Sequence, residues 1–414
     1  MQSPIAVFKR LTLIPQGIIV VISAFLPIFA IVSMFPALPS LLGHFKDVPN
    51  AGELVPWMIT APALAIAILA PFAGYFVDRF GRMPLLVWAT FFYGVFGVAP
   101  FFLDSLGLIF ASRLLLGVCE AAILTVVNTL IGDYWDDQGR RDWLYLQGIV
   151  GPFLGAVVIR AAGPVTELRW NGVFLIYGIA FVIFVMMKLY LFEPKETGTT
   201  KAVKVAPTSQ PAPSAPGDAS RFPTGTMTLV GLVTLFSSII YYLYIVKGAL
   251  VFNAIGVMSP SRISELTAAP ALMVMVGAVF FRMLSNHANG VQLGGFLFFI
   301  GAGLLIIGLG RTVPAVVTGI VIQQIGIGMS VPALIAWTQT KLTFAHRGRG
   351  MGIWAACFFI GQFLSPWISA RVDGIAGGIQ GVFAVTGVAA LIGSAIGLMS
   401  VLIRRPVVQA SGTT

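Results

Sequence analysis

Glu120 is the one carboxylate that the sequence places well inside an apolar stretch, and Arg113 lies seven residues before it. Seven residues are about two helical turns, so both side chains point to the same helix face, about 10 Å apart along the axis. An ionisable group in hydrocarbon is costly and therefore indicates a function. Because the proton affinity of a carboxylate depends on the solvent and cations around it, we predict that Glu120 binds and releases a proton beside Arg113.

Two other interpretations of this pair stay open. In the first, Glu120 and Arg113 form a purely structural ion pair. In the second, Arg113 lies at the membrane boundary and extends its charge into the headgroup region.

Several polar and aromatic side chains in other apolar stretches predict a substrate cavity. Gln323 and Gln324 are adjacent amides that suit hydrogen bonding to a ligand in a polar cavity. Tyr241 and Trp337 predict an aromatic wall for planar or cationic compounds, with lipid-facing rings as the alternative. Asn128 and Lys247 complete the predicted set, and for Lys247 the alternative is a side chain that snorkels to the membrane surface.

The elements that hold these residues are membrane-spanning helices. An apolar run of about 20 residues is what a helix needs to cross hydrocarbon, where each segment must satisfy its own backbone hydrogen bonds. The sequence contains twelve such runs, which we predict at 12–41, 54–77, 84–103, 106–132, 143–163, 171–191, 225–249, 266–284, 291–310, 312–338, 350–370 and 375–402.

Composition excludes a water-soluble protein. The chain is 57% hydrophobic and 10% charged, with a mean hydropathy of +0.94. Its 46 glycines and 25 prolines are tolerated in membrane bundles, where small residues let helices approach each other. Cys119 and Cys357 fall in apolar runs, so we interpret them as small buried side chains rather than a disulfide.

The net charge of +10 reflects orientation in the membrane rather than nucleic-acid binding. Most of the 25 Lys and Arg residues fall on one side if both termini are cytoplasmic, as the positive-inside rule requires. The sequence shows no phosphate-binding loop, metal-ligand cluster or hydrolase triad. We therefore expect no enzyme activity, no metal and no cofactor.

A polar, Pro-rich segment at 193–224 divides the chain into two six-span bundles at 1–192 and 225–414. The halves echo each other, because Arg140-Arg141 followed by Gly151-Pro152 recurs as Arg347-Gly348-Arg349 followed by Ser365-Pro366. Two related bundles around a site at the membrane midplane are typical of secondary transporters that work by rocking.

The residues Gly74-x-x-x-Asp78-Arg79-x-Gly81-Arg82 resemble the signature loop of the major facilitator superfamily between its second and third spans. Three shorter matches are Pro36-Ala37-Leu38-Pro39, Arg113-x-x-x-Gly117 and Gly151-Pro152-x-x-Gly155-Ala156, where Ala156 replaces the last glycine of an antiporter motif. The resemblance covers nearly the whole chain apart from the linker and the tails. It is closest to the twelve-span drug/proton antiporter branch, which implies an all-α fold of two pseudo-symmetric six-helix bundles.

The resemblance also implies a conformational gate. In the family the signature loop helps to hold one conformational state, with the aspartate at an opposing helix end and near an arginine. It assigns this role to Gly74, Asp78, Arg79, Gly81 and Arg82, with Arg140 or Arg141 as the cation. The alternative is that the charged residues only anchor a short loop. Gly151, Pro152 and Gly155 are expected to serve helix packing.

From these residues we expect a transporter that exports a small organic molecule in exchange for protons. Two alternatives remain, an importer of an organic anion held by Arg113 and a lipid-moving or sensor-type member of the same fold. The expected partners are the lipid bilayer, the substrate and protons, without nucleic acid, and the expected state is a monomer. The short loops indicate an integral protein of a bacterial inner membrane with both termini in the cytoplasm.

Overall fold

A computed structural model describes residues 13–72, 79–193, 222–343 and 346–403 of the chain. All regular secondary structure within those ranges is helical. Twelve helical segments there are long and apolar enough to cross a membrane, which confirms the predicted number of spans. We number them span 1 to span 12: Ile14–Val32, Ala51–Leu69, Arg82–Phe102, Leu106–Tyr134, Gln138–Leu168, Gly172–Tyr190, Thr224–Ala254, Pro260–Leu284, Asn289–Leu309, Val313–Thr340, Arg347–Ala376 and Ile379–Leu402.

Proline interrupts two of the spans. Span 1 consists of the helices Ile14–Ser23 and Leu26–Val32, and Pro27 stands in the first turn of the second helix, where its missing N–H costs no hydrogen bond. Span 8 consists of Pro260–Ala271 and Met273–Leu284, with Pro270 near the break.

The other spans are built mainly from single helices. A short helix, Leu38–His44, follows span 1, and 3-10 segments occur at Ala70–Phe72, Ala99–Phe102 and Gly172–Gly178. The helices of the remaining spans are Ala51–Leu69, Arg82–Val98, Leu106–Tyr134, Asp137–Leu168, Ile179–Tyr190, Thr224–Ala254, Asn289–Leu309, Val313–Thr340, Arg347–Ala376 and Ile379–Ile403.

Each half of the chain packs as its own bundle. In the first half, span 4 packs against spans 2 and 3, and span 3 packs against span 6. In the second half, span 9 packs between spans 10 and 12, and span 7 packs against span 11. Most of the predicted linker, residues 194–221, lies outside the described part of the chain.

The two halves meet mainly along two seams, span 2 against span 11 and span 5 against span 8, and span 7 also contacts the short helix Leu38–His44. In the first, the rings of Trp57 and Phe363 stack with their centroids 5.8 Å apart. In the second, Gly163 lies so close to span 8 that an added methyl group would overlap Ser264 and the Pro260 carbonyl oxygen. We call the end of the bundle that bears the turn into span 3 the Arg82 end, and the opposite end the Glu167 end.

Candidate functional site

A cavity of about 170 Å³ lies between the two halves. Spans 1, 5, 7, 8 and 10 and the residue Phe35 supply its wall. The lining is Phe25, Ile28, Val32, Phe35, Gly151, Pro152, Gly155, Ile159, Tyr241, Tyr244, Ile245, Thr267, Ala271, Val274, Gln324 and Ile327. Among the described residues, no charged side chain belongs to this lining. A mostly apolar pocket with a few polar groups is the usual form of a small-molecule site.

The Gly-Pro motif of span 5 shapes one wall of the cavity. Gly151, Pro152 and Gly155 all line it. A side chain at Gly151 would overlap the ring of Phe25, which lies at the break in span 1, whereas Gly155 faces open space. The first glycine therefore brings spans 1 and 5 together, and the second leaves room beside them.

Two of the predicted substrate-cavity residues line the cavity. Gln324 lines it and is 7% exposed. Tyr241 lines the same wall, with its ring 4.7 Å from that of Tyr242 and 5.8 Å from that of Phe358. Their role as ligand contacts stays a prediction.

The other four predicted cavity residues occupy different places. Gln323 is fully buried, and neither polar atom of its amide has a hydrogen-bond partner among the described residues. Trp337 and Lys247 are also buried, outside the cavity lining. Asn128 is exposed, and its amide donates to the carbonyl oxygen of Leu124 at 2.8 Å. Adjacent residues of a helix point about 100° apart, which separates Gln323 from Gln324.

Arg113 is held inside the first half. Its side chain is 1% exposed and donates to the carbonyl oxygens of Phe96 and Gly97 at 3.0 and 2.9 Å. The guanidinium carbon lies 5.1 Å from the ring centre of Phe174 and 4.8 Å from that of Tyr177. Carbonyl acceptors and aromatic faces thus replace water around the charge.

Glu120 is 2% exposed, and its Oε1 atom has no hydrogen-bond partner among the described residues. Glu120 and Arg113 do not form an ion pair within 4.0 Å, although each lies in the electrostatic field of the other. Glu120 also lies outside the lining of the central cavity. Its carboxyl group is therefore buried apart from the cavity lining, and its role in proton binding stays a prediction.

Two tyrosines that sequence reasoning missed connect this buried region to span 1. The hydroxyl of Tyr93 donates to the Leu26 carbonyl oxygen at 2.6 Å, and that of Tyr177 donates to the Ala30 carbonyl oxygen at 2.7 Å. Both phenols lie in the electrostatic field of Glu120 and Arg113. Leu26 and Ala30 belong to the helix whose Ile28 lines the cavity.

The predicted gate is described in part, because Gly74 and Asp78 lie outside the described residues. Arg82 forms an ion pair with Asp133 of span 4. Glu193 accepts hydrogen bonds from the backbone N–H groups of Arg82 and Met83 at 3.1 and 2.8 Å, where an anion complements the start of span 3.

The remaining gate residues lie at the same end. Gly81 has φ of 79°, a conformation that favours glycine. Arg79, Arg140 and Arg141 lie there too, and the Arg141 guanidinium donates to the Gln138 side chain at 2.8 Å. Their part in gating stays a prediction.

A polar clasp joins the two halves at the Glu167 end, and sequence reasoning did not identify it. Arg160 of span 5 pairs with Glu265 of span 8 at 3.1 Å. The Glu167 carboxylate accepts hydrogen bonds from the hydroxyls of Ser259, at 3.1 Å, and Ser261. Ionisable residues toward the end of span 5 and near the start of span 8 were the available signal, but their pairing depends on the fold.

Within the described ranges, no group of three or more His, Cys, Asp or Glu side chains is arranged to hold a metal ion.

The sequence model of the Major Facilitator Superfamily matches residues 19–287, which is more than half of the chain. Among curated proteins, the chain is 30% identical over 159 residues to "Efflux pump dotC" of Dothistroma septosporum, covering 37% of this chain and 27% of that protein. It is 30% identical over 145 residues to "Tetracycline resistance protein, class E" of Escherichia coli, covering 34% of this chain and 33% of that protein.

A longer match is "Multidrug efflux pump LfrA" of Mycolicibacterium smegmatis, 25% identical over 306 residues and covering 70% of this chain and 56% of that protein. In all three cases the chain spans less than two thirds of the relative's length.

Solved structures share the fold at low sequence identity. The xylose transporter XylE of E. coli, in an inward-open conformation, superposes with a TM-score of 0.76 at 12% identity, covering 94% of this chain and 96% of that one. The human organic anion transporter MFSD10 superposes with a TM-score of 0.66 at 15% identity, covering 93% of this chain and 99% of that one. The expected all-α architecture is thereby confirmed.

Proposed function

The chain belongs to the Major Facilitator Superfamily and is a membrane transporter rather than an enzyme, and from that premise we propose that it exports a small organic molecule in exchange for protons. The observation that supports this most is the cavity of about 170 Å³ between the two halves, which is mainly apolar and free of charged lining among the described residues. Such a wall suits a lipophilic compound better than a sugar or a nucleotide, whose polar groups would need partners.

The names of the relatives support export over import. Three of them are named as an efflux pump, a tetracycline resistance protein and a multidrug efflux pump. Each match covers only part of the relative, at 25–30% identity, so the direction of transport belongs to the proposal.

Alternating access would expose the cavity to each side of the membrane in turn. The two seams between the halves, span 2 with span 11 and span 5 with span 8, are the surfaces that must part and re-form. The gate residues Arg79, Gly81 and Arg82 would stabilise one of the two states, with the ion pair between Arg82 and Asp133 holding this region in place within the first half. Gln324 and Tyr241 would contact the ligand, because both face the cavity.

Proton coupling would use Glu120 with Arg113. The carboxyl group is buried and does not line the cavity, so a ligand in the cavity would not contact the proton site directly. Tyr93 and Tyr177 donate hydrogen bonds to carbonyl oxygens of span 1 and lie in the electrostatic field of Glu120. The two tyrosines therefore connect span 1, which lines the cavity, with Glu120. A movement of span 1 during rocking would then change the surroundings of Glu120 and its proton affinity.

Import of an organic anion held by Arg113 fits the geometry less well. The guanidinium is 1% exposed, binds two backbone carbonyl oxygens and stands outside the cavity lining. An anion in the cavity would therefore meet no cation from the described residues. Lys247, the cation of the predicted substrate-cavity set, is buried and also lies outside this lining.

We place the protein in a bacterial inner membrane, as a monomer with the Arg82 end in the cytoplasm. The basic residues Arg79, Arg82, Arg140 and Arg141 at that end support this orientation. Labelling of single cysteines at the two ends in intact cells would test it.

The function itself is tested with purified protein in liposomes that are acidic inside. We expect the fluorescent lipophilic cation ethidium to accumulate inside when the gradient is present, and to equilibrate without it. Accumulation that is independent of the proton gradient would contradict antiport. Gradient-driven uptake of an organic anion with no movement of ethidium would favour the importer instead.

A further inference from the structure

A groove opens on the outer face of the bundle between spans 5 and 8, and we call it the side groove. It encloses about 580 Å³, and the residues that line it include Phe153, Val157, Arg160 and Pro164 of span 5 and Ala269 and Leu272 of span 8. Phe153 and Val157 are 58% and 49% exposed, so the groove faces away from the centre of the bundle. Among the described residues that line it, only Arg160 is polar. The side groove is therefore an apolar slot that faces lipid.

Arg160 lies near the level of the lipid headgroups. Span 5 runs over Gln138–Leu168, and its 31 residues make a helix about 46 Å long, whereas the hydrocarbon core is about 30 Å thick. A centred helix therefore extends about 8 Å beyond the core at each end. Arg160 precedes Leu168 by about 12 Å, which places it about 4 Å inside the core, where a long side chain still reaches the headgroups. Phe153 lies about 10 Å deeper, among the lipid chains.

The charge beside the side groove suits an anion. The Arg160 and Arg262 guanidiniums each lie 3.1 Å from an oxygen of the Glu265 carboxylate, so two cations share one anion. Glu167, about 10 Å farther along span 5, accepts hydrogen bonds from two serine hydroxyls instead. The Arg160 side chain is 51% exposed and uses Nη2 for Glu265, whereas a guanidinium carries five N–H donors. Arg160 can therefore bind a phosphate while it keeps its ion pair.

We propose that the side groove binds one phospholipid of the leaflet at the Glu167 end, with an acyl chain along Phe153 and Val157 and the phosphate on Arg160. The chain fills a depression whose lining would otherwise lack packing partners, and the phosphate meets the cation at headgroup depth. Because spans from both halves line the groove, the lipid bridges the seam between them. The lipid is a bound partner and not a transported compound, so its absence would leave the proposed export standing.

The first test fills the groove from each side in turn. Ala161 of span 5 and Ala269 of span 8 are both exposed and line the groove, so Ala161→Trp and Ala269→Trp occupy the space of the acyl chain. The matched control is Ala395→Trp at an exposed position of span 12. Native mass spectrometry of the purified full chain, titrated with phosphatidylglycerol, measures the Kd. We expect the Kd to rise about tenfold in each groove variant and to stay within about twofold of wild type in the control.

The second test separates a phosphate contact from a merely structural role of Arg160. Phosphatidylglycerol is compared with a diacylglycerol that has the same chains and no phosphate. Arg160→Gln should raise the Kd of phosphatidylglycerol about fivefold and leave that of diacylglycerol unchanged, because only the phosphate loses its partner. The control is Arg371→Gln, which removes an exposed arginine near the same end of span 11, where it lies over the Trp367 ring. It should change neither Kd.

Three results would overturn the lipid site. Wild-type binding of phosphatidylglycerol in both groove variants would show that the groove holds no lipid. Equal weakening of the two lipids in Arg160→Gln would show that the arginine supports the seam and does not bind phosphate. A loss in Ala395→Trp as large as in Ala161→Trp would show that lipid only coats the membrane face. Unfolding scans identify a variant that is misfolded, and the other groove variant then decides the outcome.

Discussion

Spans 4 and 10 are the fourth spans of their respective halves, yet their buried polar residues differ in charge. Span 4 buries Arg113 and Glu120, while span 10 buries the neutral amides Gln323 and Gln324. Arg113 donates from one nitrogen to two carbonyl oxygens and packs against aromatic rings, while its Nε and Nη1 atoms, like both polar atoms of the Gln323 amide, have no hydrogen-bond partner among the described residues. The fold repeats, but the chemistry of the two halves does not.

This difference indicates a division of work between the halves. Burying a carboxyl group and a guanidinium inside a membrane protein costs desolvation energy that burying a leucine does not, so their presence indicates a function. Neutral amides cannot carry a proton between states but can bind a ligand. The first half would therefore respond to protons, and the second half would supply ligand contacts such as Gln324.

The largest expected effect comes from removing the cation of the first half. Arg113→Met should lower the free energy of unfolding by about 3–5 kcal/mol, because it removes two hydrogen bonds from a charged donor and leaves the carbonyl oxygens of Phe96 and Gly97 without that partner. Denaturant unfolding in detergent measures this. The double variant Arg113→Met with Glu120→Gln should recover part of the loss; no recovery would show that the two groups are not coupled.

The adjacent amides of the second half provide a matched pair of smaller effect. Gln324→Leu should weaken ligand binding about tenfold by removing one cavity hydrogen bond, with little change in stability. Gln323→Leu should leave the Kd unchanged and hold or raise stability, since its buried amide has no partner among the described residues. Equilibrium ethidium titration and unfolding scans distinguish them. Equal changes in the two Kd values would show that Gln324 does not differ from Gln323 in its contact with the ligand.

The smallest effect concerns the clasp that joins the halves. Arg160→Gln removes an ion pair across the seam, whereas Arg262→Gln removes a pair with the same Glu265 within one span. On a background without Cys119 and Cys357, we expect Arg160→Gln to raise labelling of Thr267→Cys by a water-soluble maleimide by about threefold, as a partly exposed ion pair allows. Arg262→Gln should not change the rate. A larger increase in Arg262→Gln would show that the clasp does not hold the seam.

The fold was predictable from sequence because hydrocarbon imposes a length and a composition on every span. Boundaries were less accurate, since hydropathy marks the part that crosses lipid and not the whole helix. Span 5 was predicted at 143–163 but runs over Gln138–Leu168, and the extra turns hold Glu167. Span 2 was predicted to end at 77; its α-helix ends at Leu69, a 3-10 segment follows at Ala70–Phe72, and residues 73–77 lie outside the described part of the chain.

The sequence identified site residues only where the residue type alone is unusual in a membrane span. Buried charge marked Glu120 and Arg113 as exceptional, but a sequence does not specify the depth or direction of a side chain. It therefore did not separate Gln324 in the cavity from Gln323 behind it, nor find Tyr93 and Tyr177, whose partners lie on a different span. Contacts between distant spans depend on helix rotation, and a helix that is apolar on nearly every side carries no sequence signal for that rotation.

The central claim is that Glu120 exchanges a proton as the ligand binds. Proton release on ethidium binding, followed with a pH indicator in weakly buffered detergent solution, tests it directly. The wild-type protein should release protons in a pH-dependent amount, and Glu120→Gln should bind ethidium and release none. Undiminished proton release from Glu120→Gln would contradict the claim.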